Sequence, residues 1–168
     1  MPTTYKAIAT VTVGSGGAAN IQFTSIPQTY TDLILKVSVR SNGATTFTGG
    51  NVAFNGSTAN FTSRFLYGTG SSATSITSTN QLASMNAAQT TSSVFANGSI
   101  YIPNYTGSNY KSYSTDVVTE NNDPFAIAYF ITGLWSNTSS ITSITYTPDS
   151  GSFVQYSTAH LYGVKAEL

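Results

Sequence analysis

A two-residue alternation of side chains runs through the segment 21–40, and it restricts the fold of this chain more than any other feature. One face of its second half carries Leu33, Leu35, Val37 and Val39, and the other carries Ile34, Lys36, Ser38 and Arg40. Successive side chains of a β-strand point to opposite faces, so the pattern predicts a half-buried strand. A shorter strand at 21–23 and a turn after Pro27 are predicted before it. A slip of one residue would move Lys36 and Arg40 into the core, so we expect a tightly specified register.

Similar alternation predicts further strands along the chain. They are Tyr5–Val13, Val52–Phe54, Phe61–Tyr67, Val94–Pro103, Ser112–Thr119, Ala126–Trp135, Ile141–Tyr146 and Phe153–Leu168. In the first of them Tyr5, Ala7, Ala9, Val11 and Val13 share one face. The segment 126–135 is nearly continuous in apolar residues, which predicts a strand covered on both faces at the centre of a sheet. The segment 68–91, rich in Ser, Thr, Ala and Asn, predicts an irregular excursion with at most a weak strand or one helical turn.

Short strands separated by turn residues, with no convincing helix, indicate an all-β fold. We predict an antiparallel β-sandwich of the jelly-roll type with about eight to nine strands. A chain of 168 residues is long enough for one sizeable core. The prediction is therefore a single sandwich domain over residues 1–168.

The chain carries unusually few charges. Charged residues make up 7% of the sequence, against about 25% in an ordinary soluble domain. Six Lys and Arg balance six Asp and Glu, so no net field attracts nucleic acid or an anionic membrane. Ser, Thr, Asn and Gly replace the missing charges, which predicts a polar surface with weak repulsion between copies. Such a surface suits a protein that works packed beside neighbours.

The chain has no cysteine, which excludes disulfides, thiolate metal sites and a thiol nucleophile. Residues 1–13 show no basic segment followed by an apolar core, and no stretch approaches the roughly 20 apolar residues of a membrane helix. We therefore expect a soluble product that is not exported.

Candidates for chemistry are few. The single histidine, His160, lies in the last predicted strand without recognisable triad partners, so a structural role is the better interpretation. Asp116, Glu120 and Asp123 are the only clustered acids, and with the asparagines beside them they could supply oxygen ligands to calcium. Their spacing matches no known ion loop, which favours a solvated loop. Paired carboxylates for glycoside cleavage are a poor alternative with six acids. We predict no catalytic residue, no metal, no cofactor and no enzymatic activity.

Aromatic side chains are the richer resource. Tyr105, Tyr110, Tyr113 and Trp135 lie near predicted turns, where they could stack on sugar rings. Tyrosine is also a good strand former and a frequent interface residue. A place in the core or in a subunit contact is therefore the favoured interpretation, with a glycan site as the alternative.

Four parts of the chain carry a resemblance. In order they are Tyr5-Lys6-Ala7-Ile8-Ala9, then Ile21-Gln22-Phe23-Thr24-Ser25-Ile26-Pro27 with Tyr30-Thr31-Asp32-Leu33, then Tyr101-Ile102-Pro103-Asn104-Tyr105, then Leu161-Tyr162-Gly163-Val164. In this order they resemble a broad group of tailed-bacteriophage virion proteins, including those of phages of cyanobacteria. The resemblance spans nearly the whole chain, and its motifs are structural rather than catalytic.

The resemblance implies jelly-roll or sandwich domains used as capsid decoration (cement) proteins, head fibres or tail-fibre modules. It also implies homotrimers and no active site. The expected location is the virion, after assembly in the bacterial cytoplasm, and the expected partners are the major capsid protein or other virion proteins. A fibre tip needs a preceding shaft, and residues 1–4 leave no room for one, so we expect a cement protein. The alternative is a tail-fibre or head-fibre module that binds host-surface glycan.

Overall fold

A computed structural model of the chain describes residues 4–122 and 126–165, and these residues form β-strands without any helix. The strands are β1 (Tyr5–Thr12), β2 (Ile21–Phe23), β3 (Asp32–Val39), β4 (Phe47–Phe54), β5 (Phe61–Gly68), β6 (Ala73–Ser78), β7 (Gln81–Asn86), β8 (Ala96–Ile102), β9 (Lys111–Val118), β10 (Ala128–Trp135), β11 (Ile144–Pro148) and β12 (Thr158–Val164). The all-β prediction is confirmed. The described residues contain twelve strands, which is more than the eight to nine predicted.

The strands form two antiparallel sheets. The large sheet has eight strands in the order β1-β12-β3-β8-β9-β10-β5-β6, and the small sheet has four in the order β2-β11-β4-β7. Buried side chains from both sheets form one hydrophobic core, which includes Leu35 of β3, Phe54 of β4 and Trp135 of β10. The architecture is an antiparallel β-sandwich, as predicted.

The alternation at 33–39 is confirmed by burial. Leu33, Leu35, Val37 and Val39 are buried on the inner face of β3, and Lys36 is exposed on the outer face. Arg40, which was expected on the solvent face, is buried instead. The reason is that β3 ends at Val39, so the alternation no longer sets the direction of this side chain.

The strand β10 is not covered on both faces, which corrects the prediction for 126–135. Ile131 and Trp135 are buried, whereas Phe130 and Thr132 are exposed on the outer face. No second layer of described residues covers that face, so every other side chain of β10 remains accessible. Two other strands, β8 and β9, lie at the centre of the large sheet.

The segment 68–91 contains two regular strands rather than an irregular excursion. The edge strand β6 extends the large sheet, and β7 ends the small sheet. Strand β6 lacks an apolar alternation because four of its six residues are Ser or Thr. Strand β7 buries small residues such as Ala83 and Ser84, which composition alone assigns to loops.

Strands β4 and β1 are among those that differ from their predicted extent or face. Strand β4 begins at Phe47 rather than Val52, because Gly49 and Gly50 continue the strand; a Cβ at Gly50 would overlap with the ring of Tyr146. In β1 a bulge between Ala7 and Ala9 shifts the register, so that Ile8 packs against the core together with Val11.

The final strand is also shorter than predicted. The predicted range Phe153–Leu168 reduces to β12 at Thr158–Val164, because Phe153 instead forms isolated bridges with Ala18 and Ser41. The last predicted positions, 166–168, lie outside the described residues.

Aromatic rings fill one end of the core. The ring of Phe54 lies 5.5 Å from Trp135, 5.3 Å from Phe61 and 6.1 Å from Tyr113, measured between centroids. The rings of Phe61 and Trp135 are stacked at 6.0 Å. Edge and offset contacts of this kind contribute about 0.5–1.5 kcal/mol each beyond the burial of their area. This aromatic group joins β4 of the small sheet to β5, β9 and β10 of the large sheet.

Tyr146 is fully buried, and its hydroxyl has no hydrogen-bond partner among the described residues. Because an unpaired buried hydroxyl is costly, we expect Tyr146→Phe to raise the free energy of unfolding by about 1 kcal/mol. Burial, and to a lesser degree the charge of Asp149, also raises the pKa of Tyr146 above its ordinary value of 10.0. The unfolded chain therefore ionises first, and stability is lost as the pH rises above about 10.

The measurement is urea unfolding at pH 7 and at a series of pH values above 10. Phenylalanine cannot ionise, so the variant should lose less stability in alkali than the unmodified protein. The matched control is Tyr156→Phe, at a tyrosine that is 69% exposed, which should change neither quantity. Destabilisation by Tyr146→Phe at pH 7 would contradict the expectation.

Candidate interaction surface

The outer face of the large sheet carries a group of exposed apolar side chains, which we call the apolar cluster. Its members are Leu66, Phe130 and Val118, which are 55%, 50% and 42% exposed. Phe130 pairs directly with Leu66 on β5, and Val118 on β9 pairs with Ala128, two residues before Phe130. Side chains at such direct and diagonal positions are within contact distance on one sheet face. The three residues therefore form one patch across β9, β10 and β5.

Polar side chains surround the apolar cluster. Asp116 pairs with Phe130 on the side opposite to Leu66, and it is exposed. Arg64 lies two residues before Leu66 on the same face and pairs with Thr132. An apolar centre with a polar rim is the usual anatomy of a protein–protein contact.

The same outer face continues as a row of larger side chains toward the other edge of the sheet. Tyr162 of β12, Ile34 of β3 and Tyr101 of β8 occupy directly paired positions. The Tyr101 hydroxyl donates a hydrogen bond of 2.8 Å to Asp32 Oδ2, and this bond raises the pKa of Tyr101. The row is therefore partly fixed before any partner binds.

His160 lies on this face between Thr10 of β1 and Lys36 of β3. Its Nδ1 is 3.0 Å from Thr10 Oγ1, and its direct partner on the other side is Lys36. A cation beside a histidine cannot orient it as the carboxylate of a hydrolase triad does. The histidine is a cross-strand surface residue, in line with the structural interpretation.

The two described members of the acidic group, Asp116 and Glu120, lie on different elements. Asp116 is on the outer face of β9, whereas Glu120 lies in the following loop, where its Oε1 accepts hydrogen bonds from the backbone amides of Asn121 and Asn122 at 3.1 and 3.0 Å. Asp123 lies outside the described residues. Across ranges 4–122 and 126–165, no group of three or more His, Asp or Glu side chains is arranged to hold a metal ion.

Three of the four aromatic residues considered for sugar stacking are in the core. Tyr105, Tyr113 and Trp135 are buried, which confirms the favoured interpretation for them, and Tyr110 is 55% exposed. Burial raises the pKa of both Tyr105 and Tyr113. These residues hold the sheets together and offer no stacking surface.

The apolar cluster was not recognised from the sequence. The signal was present in 126–135, where apolar residues occupy both parities of the strand. A strand with two apolar faces is either covered on both or exposes one of them to solvent. The sequence pattern alone favours coverage on both faces. The exposed Phe130 shows that β10 instead leaves one apolar face open to solvent.

An open groove lies at the side of the sandwich where the small sheet ends. We call it the side groove; it has a volume of about 340 Å³, and Tyr67, Tyr129, Gln81 and Asp149 are among its lining residues. The rings of Tyr67 and Tyr129 lie 5.6 Å apart. Burial raises the pKa of Asp149 above its ordinary value, and Asn51 Nδ2 donates a hydrogen bond to its Oδ1.

The buried basic side chains are engaged with backbone carbonyls. Lys111 is fully buried, and its Nζ donates to the carbonyl oxygens of Gly107 at 2.7 Å and Asn109 at 2.6 Å. Burial lowers the pKa of Lys111, because removal from water disfavours the charged form. Its ammonium group ties two turns to the start of β9, and it is not aimed into a cleft.

Comparisons of the chain with protein-family models, curated proteins and solved structures found no match. Within the described residues, no helix has the length and apolar character needed to cross a membrane.

Proposed function

We propose that this protein is a non-enzymatic virion structural protein, namely a capsid decoration (cement) protein that binds the outer surface of a phage capsid and stabilises the shell. Support comes from the resemblance of four stretches to tailed-phage virion proteins. The observation that carries the proposal is the apolar cluster on the broad outer face of the large sheet.

The outer face has the dimensions of a stable contact. Eight strands enclose seven intervals of about 4.8 Å, so the large sheet is roughly 34 Å wide. A specific interface buries on the order of 800 Å² on each partner. The face is wide enough to provide this area around Leu66, Phe130 and Val118. The proposed occupant is the shell protein.

Binding at this face explains how such a protein would strengthen a capsid. A copy that contacts neighbouring shell subunits adds cross-subunit contacts, which rupture must break against the outward pressure of packaged DNA. A protein that binds only the intact capsid stabilises that state. It also slows rupture, which extends the lifetime of the capsid. The protein would bind as a homotrimer, because weak repulsion between copies permits sheet-side contacts and a trimer fits a three-fold shell position.

The lack of an assembled set of titratable groups in the described structure supports a non-enzymatic role. The buried cations, Arg40 and Lys111, donate to backbone carbonyls. Two strands, β3 and β8, separate Asp116 on β9 from His160 on β12. Glu120 lies in the loop after β9. An acid, a base and an oxyanion site at one place are what catalysis would require.

The test is rebinding of the purified protein to phage particles from which it has been removed. Phe130→Asp should remain folded and trimeric by light scattering, but it should bind stripped particles at least tenfold more weakly, because a charge replaces an aromatic ring that the shell contact would bury. The matched control is Thr147→Asp, which places the same charge at an exposed position of the small sheet. Equal binding by both variants would contradict the assignment of the apolar cluster to the shell contact.

A further inference from the structure

We propose that the side groove is a binding site for a neutral sugar, with room for about one or two pyranose rings. This site is separate from the apolar cluster, and the proposal does not depend on the position of the protein in a virion. It follows from the shape of the groove, its aromatic wall, its polar lip and its charge.

The groove exists because the two sheets differ in width. Strand β7 at the edge of the small sheet packs against β8, β9 and β10, whereas β5 and β6 of the large sheet extend beyond it. The inner faces of β5 and β6 therefore present Phe65, Tyr67 and Ile76 to the groove. The volume of about 340 Å³ is near the lower limit of small-molecule sites.

Two tyrosines form the wall of the groove. The rings of Tyr67 and Tyr129 are inclined by 37° with centroids 5.6 Å apart, and both side chains are partly exposed. Tyr129 packs against the hydrophobic core, which restricts the orientation of its ring. Aromatic rings held in this way offer an apolar platform with a polar edge. The C–H face of a pyranose ring matches such a platform.

The opposite lip supplies hydrogen-bonding groups. Asp149 and Gln81 both approach Gly49, where a Cβ would overlap with the Asp149 carboxylate and the Gln81 amide. The absence of a side chain at Gly49 thus allows an acceptor and a donor to stand side by side. A carboxylate accepts only, and an amide nitrogen donates, so together they match two adjacent hydroxyl groups that each donate and accept.

The charge of the groove decides the class of sugar. Asp149 is its one acidic side chain, and no basic side chain is found among the described residues that line it. Phosphate, sulfate or carboxylate groups would meet a negative charge with no cation to pair it. The polar side chains of Thr48, Gln81 and Ser84 favour a polyhydroxylated ligand over a purely apolar one. A neutral sugar satisfies both conditions.

The experiment is saturation-transfer NMR of the full chain with the methyl glycosides of glucose, galactose, mannose and N-acetylglucosamine. Glucuronic acid and choline serve as the anionic and cationic probes. We expect binding of at least one neutral sugar with a dissociation constant on the order of 1 mM, as a small open site permits. Tyr67→Ser should weaken that binding at least tenfold, and Asp149→Asn about tenfold.

Matched controls separate the site from general effects of the substitutions. Tyr156→Ser and Asp116→Asn make the same changes at exposed positions outside the groove and should leave binding unchanged. The proposal is overturned if none of the four neutral sugars binds, if choline or glucuronic acid binds more tightly than they do, or if Tyr67→Ser and Asp149→Asn bind as well as their controls.

Discussion

Replacing Trp135 with alanine is expected to lower the free energy of unfolding by about 3–5 kcal/mol, the largest effect of a single substitution that we anticipate. Trp135 is the largest fully buried side chain, and its ring contacts Phe54 of the small sheet and Phe61 of the large sheet. Its removal opens a cavity between the sheets that the rigid backbone of paired strands cannot close. Urea unfolding followed by far-ultraviolet circular dichroism measures the loss.

Two further substitutions, Phe130→Ala and Trp135→Phe, test whether this loss of stability comes from the buried position and the ring of Trp135. Phe130→Ala changes an aromatic residue on the outer face of the same strand, so it should cost less than about 1 kcal/mol. Trp135→Phe should cost less than Trp135→Ala, because it retains a ring and removes an indole Nε1 that has no hydrogen-bond partner among the described residues. Similar losses for Trp135→Ala and Phe130→Ala would contradict the assignment of inner and outer faces.

The second large effect is expected at Arg40, where Arg40→Met should lower the free energy of unfolding by about 3 kcal/mol. Arg40 is 7% exposed, and its Nη1 donates to the carbonyl oxygens of Thr91 at 2.8 Å and Val94 at 2.9 Å. Its Nη2 donates to the Thr90 carbonyl at 3.1 Å. Methionine fills a similar volume but leaves these acceptors unpaired. Urea unfolding and hydrogen exchange of the 87–95 amides report the global and local losses.

Lys36→Met is the matched control, because Lys36 is a cation of the same strand region that lies exposed on the outer face. Its hydrogen bond from Nζ to Ser99 Oγ, at 2.6 Å, is exposed, so a change within about 0.5 kcal/mol is expected. If Arg40→Met were as mild as Lys36→Met, the guanidinium would not hold the 87–95 segment in solution.

The difference between Lys36 and Arg40 shows how far the alternation pattern extends. Within a strand, burial follows position, and the inner and outer residues of β3 are as the pattern predicts. Beyond Val39 the direction of a side chain depends on which acceptors the fold brings near, and those of Arg40 lie about 50 residues away in the chain. A local pattern contains no information about such distant contacts.

The strands β6 and β7 were missed for a related reason. An edge strand such as β6 needs little apolar content, because much of it faces solvent. Strand β7 buries Leu82 and Met85 on opposite faces, with the small residues Ala83 and Ser84 between them, so neither face is continuously apolar. Composition therefore separates strands from loops poorly when the strand has no large apolar face.

The candidate surfaces were less predictable than the strands. Leu66 and Phe130 become neighbours only through the pairing of β5 with β10, which are separated by more than 50 residues. The side groove likewise combines Gln81, Tyr129 and Asp149 from three parts of the chain. The core positions of Tyr105, Tyr113 and Trp135 were predictable as the favoured alternative, because large aromatic residues in strands are usually buried.

The most direct test of the proposed function is a reconstruction of the virion to which the proposal assigns this chain, supported by immunogold labelling with antibody raised against the purified protein. The proposal predicts density for the sandwich at repeated positions on the outer head surface, as trimers, with the face that carries Leu66, Phe130 and Val118 against the shell. Label and density confined to the tail, with none on the head, would contradict it.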